Sequence, residues 1–218
     1  MAQLFTKRAN AIAQATVIGV PLLILGTGAV FFAYARSSFW TGVDVPLRQP
    51  VPFSHQHHVG GLGIDCRYCH TSVETSPFAG IPPTETCMTC HSQVWRDAPV
   101  LQPVRDSWER NLPLRWNRVY QLPGFVYFNH SIHVTKGIGC ASCHGRIDRM
   151  PLTSKVEPLY MRWCLDCHRS PENHLRPTNQ IVDMNYQAPP DQPTLGKHLL
   201  EVNHVQKAGL TDCYACHR

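Results

Sequence analysis

The hydrophobic pattern divides the chain at one place. No charged residue occurs from Ala9 to Ala35, Lys7 and Arg8 stand before this run, and Arg36 closes it. Its most apolar part, Ala15 to Ala35, would form a helix of roughly 31 Å, close to the hydrocarbon thickness of a bilayer. Pro21 falls inside and would kink that helix, which membrane helices tolerate. Beyond Arg36, apolar positions come singly or in short groups. No alternation of period two is sustained, so no strand is expected. The pattern predicts a mainly irregular chain with short α-helices, following one N-terminal transmembrane helix.

The competing reading of the first segment is a cleaved signal peptide, because Ala33-Tyr34-Ala35 resembles a cleavage site. The apolar run, however, exceeds the usual signal core of about 7–15 residues. We therefore read residues 1–36 as a retained single-pass anchor and 37–218 as an exported domain. Lys7 and Arg8 favour an N-terminus on the cytoplasmic side. This puts the domain on the outer, periplasmic face of a bacterial inner membrane.

Composition sharpens the picture. Charged residues make up only 16 % of the chain and prolines number 18, which suits a polypeptide wrapped in loops around something else. The net charge of +5 is not gathered into blocks, so nucleic-acid binding has no support.

The ten cysteines change everything. Each belongs to a Cys-x-x-Cys pair followed at once by histidine: Cys66-Cys69-His70, Cys87-Cys90-His91, Cys140-Cys143-His144, Cys164-Cys167-His168 and Cys213-Cys216-His217. Two thiols at this spacing match the two vinyl groups of one haem, and the adjacent imidazole then meets the iron from one face. A disulfide framework would not need a histidine after every pair, and neither would zinc. Five covalently bound haems c are the expected cofactors.

The sixth position of each iron decides the chemistry, since a second strong axial ligand leaves only electron transfer. Of the 13 histidines, those outside the motifs are His55, His57, His58, His130, His133, His174, His198 and His204. Closure of all five irons is therefore possible. Met150 and Met161 are alternatives at one iron, where a thioether would raise the potential.

Two segments repeat. Residues 53–70 read FSHQHHVGGLGIDCRYCH and residues 128–144 read FNHSIHVTKGIGCASCH, each with Phe-x-His-x-x-His, a glycine-bearing turn and a motif. A second motif follows each at a similar gap. The exported part thus divides into a di-haem unit at 53–91, a Trp- and Pro-rich connector at 92–127, a di-haem unit at 128–170, a connector at 171–196 and a mono-haem tail at 197–218.

The repeat resembles the start of the small tetrahaem cytochromes of sulfate reducers and related tri-haem proteins of the c7/c3 type. That resemblance implies that His55 and His130 ligate the haems of Cys66/Cys69 and Cys140/Cys143. It also implies that His58 and His133 reach neighbouring haems, most simply those of Cys87/Cys90 and Cys164/Cys167. His204 is assigned to the last haem because His204-Val205-Gln206-Lys207 parallels His133-Val134-Thr135-Lys136. His198 is its rival.

The stretch Pro113–Gly145, PLRWNRVYQLPGFVYFNHSIHVTKGIGCASCHG, together with MRWCLDCHRSPENHLRP at 161–177, resembles the pentahaem cytochrome c subunit of bacterial alternative complex III. Part of the connector also resembles the multihaem subunit of menaquinone reductase complexes, although that relative resembles a six-haem protein. The first resemblance implies an electron relay with no substrate chemistry of its own. Its partners would be an integral membrane quinol-oxidising subunit and an iron–sulfur subunit. The acceptor would be a monohaem cytochrome c, a copper protein or a terminal oxidase. Two rival expectations are a free-standing quinol dehydrogenase and a catalytic multihaem reductase; no Cys-x-x-Cys-Lys motif supports the latter.

Overall fold

A computed structural model describes residues 6–217; residues 1–5 and Arg218 lie outside the described part. The chain separates into a unit ending at Val43 and a unit beginning at Asp44.

In the first unit, α1 runs from Lys7 to Arg36. Thr6 caps it, its hydroxyl accepting from Ala9 N at 3.2 Å. None of its residues is buried, and its mean hydropathy of 2.1 makes it long and apolar enough to cross a membrane. Its hydroxyls are satisfied within the helix: Thr16 Oγ1 donates to Ile12 O at 2.9 Å and Thr27 Oγ1 to Leu23 O at 2.7 Å. This is what a lipid-facing helix requires, since hydrocarbon offers no partner. Pro21 sits inside the helix as expected. At the far end Tyr34 packs against Phe39 and Trp40 of α2 (Ser38–Thr41), with centroids 5.8 and 5.7 Å away. Such a cluster suits a membrane–water interface.

The second unit has no strand among the described residues, only two isolated bridges, Val126 with His217 and Ile138 with Leu175. Its helices are short. Cys66–Cys69 form α3, Thr84–His91 form α4, Gln102–Arg110 form α5 and His130–Thr135 form α6. Ala141–His144 form α7, Met161–Arg169 α8, Gln192–Val202 α9 and Cys213–Cys216 α10. Every haem motif lies on a helical turn or at its edge.

Two helices modify the sequence reading. Residues 92–127 are more than a loop, because α5 packs on α4 there. Val104 and Leu101 join Val51 in a small core with Cys87, Met88 and Trp116. Helix α9 also runs across the expected junction at 196–197. It packs on the turn Pro171–Asn173, and Gln192 Nε2 donates to Leu175 O at 2.7 Å.

The protein's own core is thin. Among the described residues eight hydrophobic side chains are buried, Leu175 most deeply. The accessible surface is 15356 Å² for 24.6 kDa, whereas a compact monomer of that mass exposes about 10,000 Å². Part of the excess is α1. The rest belongs to a domain whose apolar side chains have few partners among themselves.

Candidate haem-binding sites

One helical turn places residues i and i+3 on the same face, so each Cys-x-x-Cys presents two sulfurs side by side. The histidine that follows is oriented from outside its motif. His70 Nδ1 donates to Gly80 O at 2.7 Å and His91 Nδ1 to Val94 O at 3.0 Å. His168 Nδ1 donates to Leu210 O at 2.8 Å and His217 Nδ1 to Phe125 O at 3.1 Å. A carbonyl can only accept, so Nδ1 carries the proton in each case. Nε2 is then left as a bare donor to a metal. His144 is held instead by the edge of Tyr120, with centroids 4.5 Å apart.

The histidines of the repeats share this signature. His58 Nδ1 donates to Ser54 O at 2.9 Å, His133 Nδ1 to Asn129 O at 2.7 Å and His130 Nδ1 to Pro77 O at 2.9 Å. His55 Nδ1 shares a hydrogen bond of 3.0 Å with the Thr153 hydroxyl. The repeat in sequence is also a repeat in geometry. Phe53 stacks on His58 and meets His55 edge-on, and Phe128 does the same to His133 and His130. Each phenylalanine wedges two imidazoles apart so that they face different ways. Gly60 lies just beyond the first wedge, where a Cβ would collide with Asp148 O.

Three histidine pairs come together. The rings of His130 and His144 have centroids 6.5 Å apart and planes 13° from parallel. His133 and His168 stand 6.1 Å apart at 27°, and His58 and His91 stand 6.1 Å apart at 68°. Two imidazoles on opposite faces of one metal, with bonds of about 2.0–2.1 Å, would place their centroids about 6.3 Å apart. His55 lies close to His70: burial, then His70 and His58, lower its pKa to about 4. His144 is also lowered to about 4, by burial and then by His130, His70 and His55. These rings are neutral at pH 7, the form a metal needs.

His204 behaves differently. It is exposed, has φ of +51°, and makes no ring contact with His217, which faces Phe125 at 5.8 Å. The parallel between Lys136 and Lys207 does not extend to their contacts. Lys136 Nζ donates to Asn203 O at 2.7 Å, whereas Lys207 pairs with Glu172 at 3.0 Å. His57 stacks on Trp95, and His174 and His198 are exposed. Met161 is 60 % exposed at the start of α8, and Met150 Sδ lies 4.0 Å from the Ser154 hydroxyl.

The sulfurs form a string that departs from chain order. Cys66 and Cys140 act on each other: Cys140 lowers Cys66 to about 7, and Cys66 raises Cys140. Cys87 is raised by burial and by nearby Cys69, and Tyr68 OH lies 3.1 Å from Thr89 Oγ1, joining the same two motifs. Cys143 is pushed up to about 12 by burial, then by Cys167 and Cys164. Cys164 is raised by burial and then by Cys216. In space the motifs therefore run Cys87/Cys90, Cys66/Cys69, Cys140/Cys143, Cys164/Cys167, Cys213/Cys216. The two exposed motif cysteines, Cys90 and Cys213, fall at its two ends.

The donor set fits haem c. Among the described residues no group of three or more His, Cys, Asp or Glu is gathered for a bare ion. Paired imidazoles would hold a haem iron, and the adjacent thiol pairs would supply its covalent tether. Sequence reasoning found these donors. It missed the outside acceptors, Gly80, Pro77 and Leu210, which are carbonyls of ordinary loop residues.

A largely helical and irregular chain with paired imidazoles beside thiol pairs is a multihaem c-type cytochrome. No protein-family model matches it. Over 157 residues it is 34 % identical to the multihaem cytochrome c subunit of menaquinone reductase from Nitratidesulfovibrio vulgaris, covering 60 % of this chain and 72 % of the relative. The chain belongs to the family of that subunit, so its haem is covalently bound haem c.

Proposed function

We propose that this chain is the membrane-anchored five-haem relay of a quinol-oxidising complex of the alternative complex III type. When bound, haem c supplies an iron that alternates between ferric and ferrous states. The chain's own residues would, in this reading, tether each haem and set the spacing between neighbours, and the paired histidines would close the irons they hold. In this reading Cys66/Cys69, Cys87/Cys90, Cys140/Cys143, Cys164/Cys167 and Cys213/Cys216 tether five haems. The axial pairs are His55/His70, His58/His91, His130/His144 and His133/His168, and His204 remains the assigned partner of His217. Two di-haem units of the c7/c3 kind, 53–91 and 128–170, are followed by the mono-haem tail.

The observation that carries the reading is the set of three imidazole pairs at 6.1–6.5 Å, each beside a thiol pair. Irons closed in this way pass electrons and bind nothing. The apolar α1 supports a membrane anchor with the haem domain on the outer side. The relative is a menaquinone reductase subunit, which supports a quinone-linked complex around this chain. In that complex an integral membrane subunit oxidises quinol, an iron–sulfur subunit is a neighbour, and a monohaem cytochrome c, copper protein or terminal oxidase takes the electrons. The exposed ends at Cys90 and Cys213 suit exchange with such partners.

The test compares the purified holoprotein with its whole membrane complex. Addition of a reduced menaquinol analogue should reduce the haems only in the complex. Reduction of the isolated chain would replace this reading with a free-standing quinol dehydrogenase.

A further inference from the structure

We propose that Arg176 tunes the redox group held by Cys140, Cys143 and His144, its buried positive charge raising the reduction potential there. The inference rests on the electron-relay reading.

The placement begins with the backbone. Arg176 N donates to Gly137 O at 2.9 Å, beside the bridge between Ile138 and Leu175. The side chain then lies along Gly139, the residue before Cys140. A Cβ at 139 would collide with Cζ, Nε and Nη1 of Arg176, so only glycine lets the guanidinium lie against this turn. On its other side Arg176 Cζ stands 4.4 Å from the centre of the Tyr186 ring. Nη1 donates to Asp183 O at 3.1 Å, and Cys140 N donates to Ile181 O at 2.9 Å, so the same loop fixes both the charge and the motif.

The charge is buried. Arg176 is 7 % exposed. Asp183 acts on it through space, but among the described residues no carboxylate forms an ion pair with it, and Asp183 Oδ1 accepts from Asn185 N at 2.8 Å. Arg176 Nε, the Tyr186 hydroxyl and Gln192 Oε1 have no hydrogen-bond partner. All three residues line one cavity of about 220 Å³ that also touches Ser142, inside the motif. Burying a guanidinium with no carboxylate in contact is unfavourable. A fixed positive charge in a low-dielectric site favours addition of an electron nearby. Burial also keeps salt from screening it.

The experiment is a spectroelectrochemical titration of the full-length holoprotein, with haem stoichiometry measured by mass for every variant. The rings of His130 and His144, 13° from parallel, should give their site one of two rhombic ferric signals, and His130→Ala identifies which. Arg176→Gln should make that site roughly tenfold harder to reduce, about 59 mV for one electron. Arg176→Lys should retain most of the wild-type potential, which a purely packing role would not produce. If Arg176→Gln does not assemble, Gln192→Glu places a carboxylate in the same cavity without removing the arginine, and the same site should again become harder to reduce. An unchanged potential in the assembled Arg176→Gln or Gln192→Glu protein overturns the inference. Fewer than five covalent haems in the wild type would instead overturn the relay reading beneath it.

Discussion

The imidazoles of His130 and His144 lie nearly parallel, 13° apart, because two unrelated loops hold them. His130 starts α6 and hands its Nδ1 proton to Pro77 O, 53 residues earlier. His144 ends α7 and is braced by the edge of Tyr120. Neither ring is free to turn about the axis between them. The angle is therefore a property of the fold.

That angle has a spectroscopic consequence. Parallel axial imidazoles donate into the same iron d orbital and split the pair, giving a rhombic ferric spectrum. Rings near perpendicular leave the pair almost degenerate and give one strongly anisotropic signal. Low-temperature paramagnetic resonance of the oxidised protein should show rhombic signals for the 13° and 27° pairs, His130/His144 and His133/His168. The 68° pair, His58/His91, should show a strongly anisotropic one. Substituting His58 should remove the anisotropic signal alone.

Ligand assignments separate by truncation. Wild-type ferrous protein should not bind carbon monoxide at the three paired sites. His58→Ala, His130→Ala or His133→Ala should each open one site and give one equivalent of rapid binding, read from the visible spectrum. His57→Ala should open none, since His57 stacks on Trp95. Binding in His57→Ala, or none in the other three, would contradict the pairing.

The order of the motifs is testable in the fully reduced, diamagnetic protein. Proton–proton Overhauser contacts should link the thioether groups on Cys66 and Cys140, each of which shifts the other's titration. No direct contact should link the groups on Cys87/Cys90 to those on Cys140/Cys143. Contacts following chain order would contradict the string described above.

Leu175 supports the second half of the domain. It is 2 % exposed, between the bridge to Ile138 and the hydrogen bond from Gln192. Leu175→Ala should lower the stability of the holoprotein by about 2–5 kcal/mol. The check is a denaturant melt followed by far-ultraviolet dichroism, with the haem spectrum recorded in parallel.

What the sequence revealed, and what it hid, follows physical lines. Covalent attachment leaves a local signature, so the five motifs were legible. So was the long apolar helix α1, because its run of uncharged residues is continuous. The wedge of Phe53 and Phe128 showed as a repeat, and the structure brings three of the expected histidine pairs together. The remainder depends on contacts between distant segments. Helix α5 was hidden because it gives the core only Val104, with Leu101 in the turn before it. The spatial order of the motifs was hidden because nothing local to Cys66 points to Cys140. The parallel that points to His204 is short, and the structure gives His204 a left-handed backbone and an exposed position.

The central claim is that the ten motif sulfurs tether five haems. Intact-mass measurement of the purified chain, with alkylation of any free thiol, tests it most directly. The account expects the polypeptide mass plus five haems and no alkylated cysteine. Alkylated thiols, sulfur–sulfur bridges or bound zinc at these positions would contradict it.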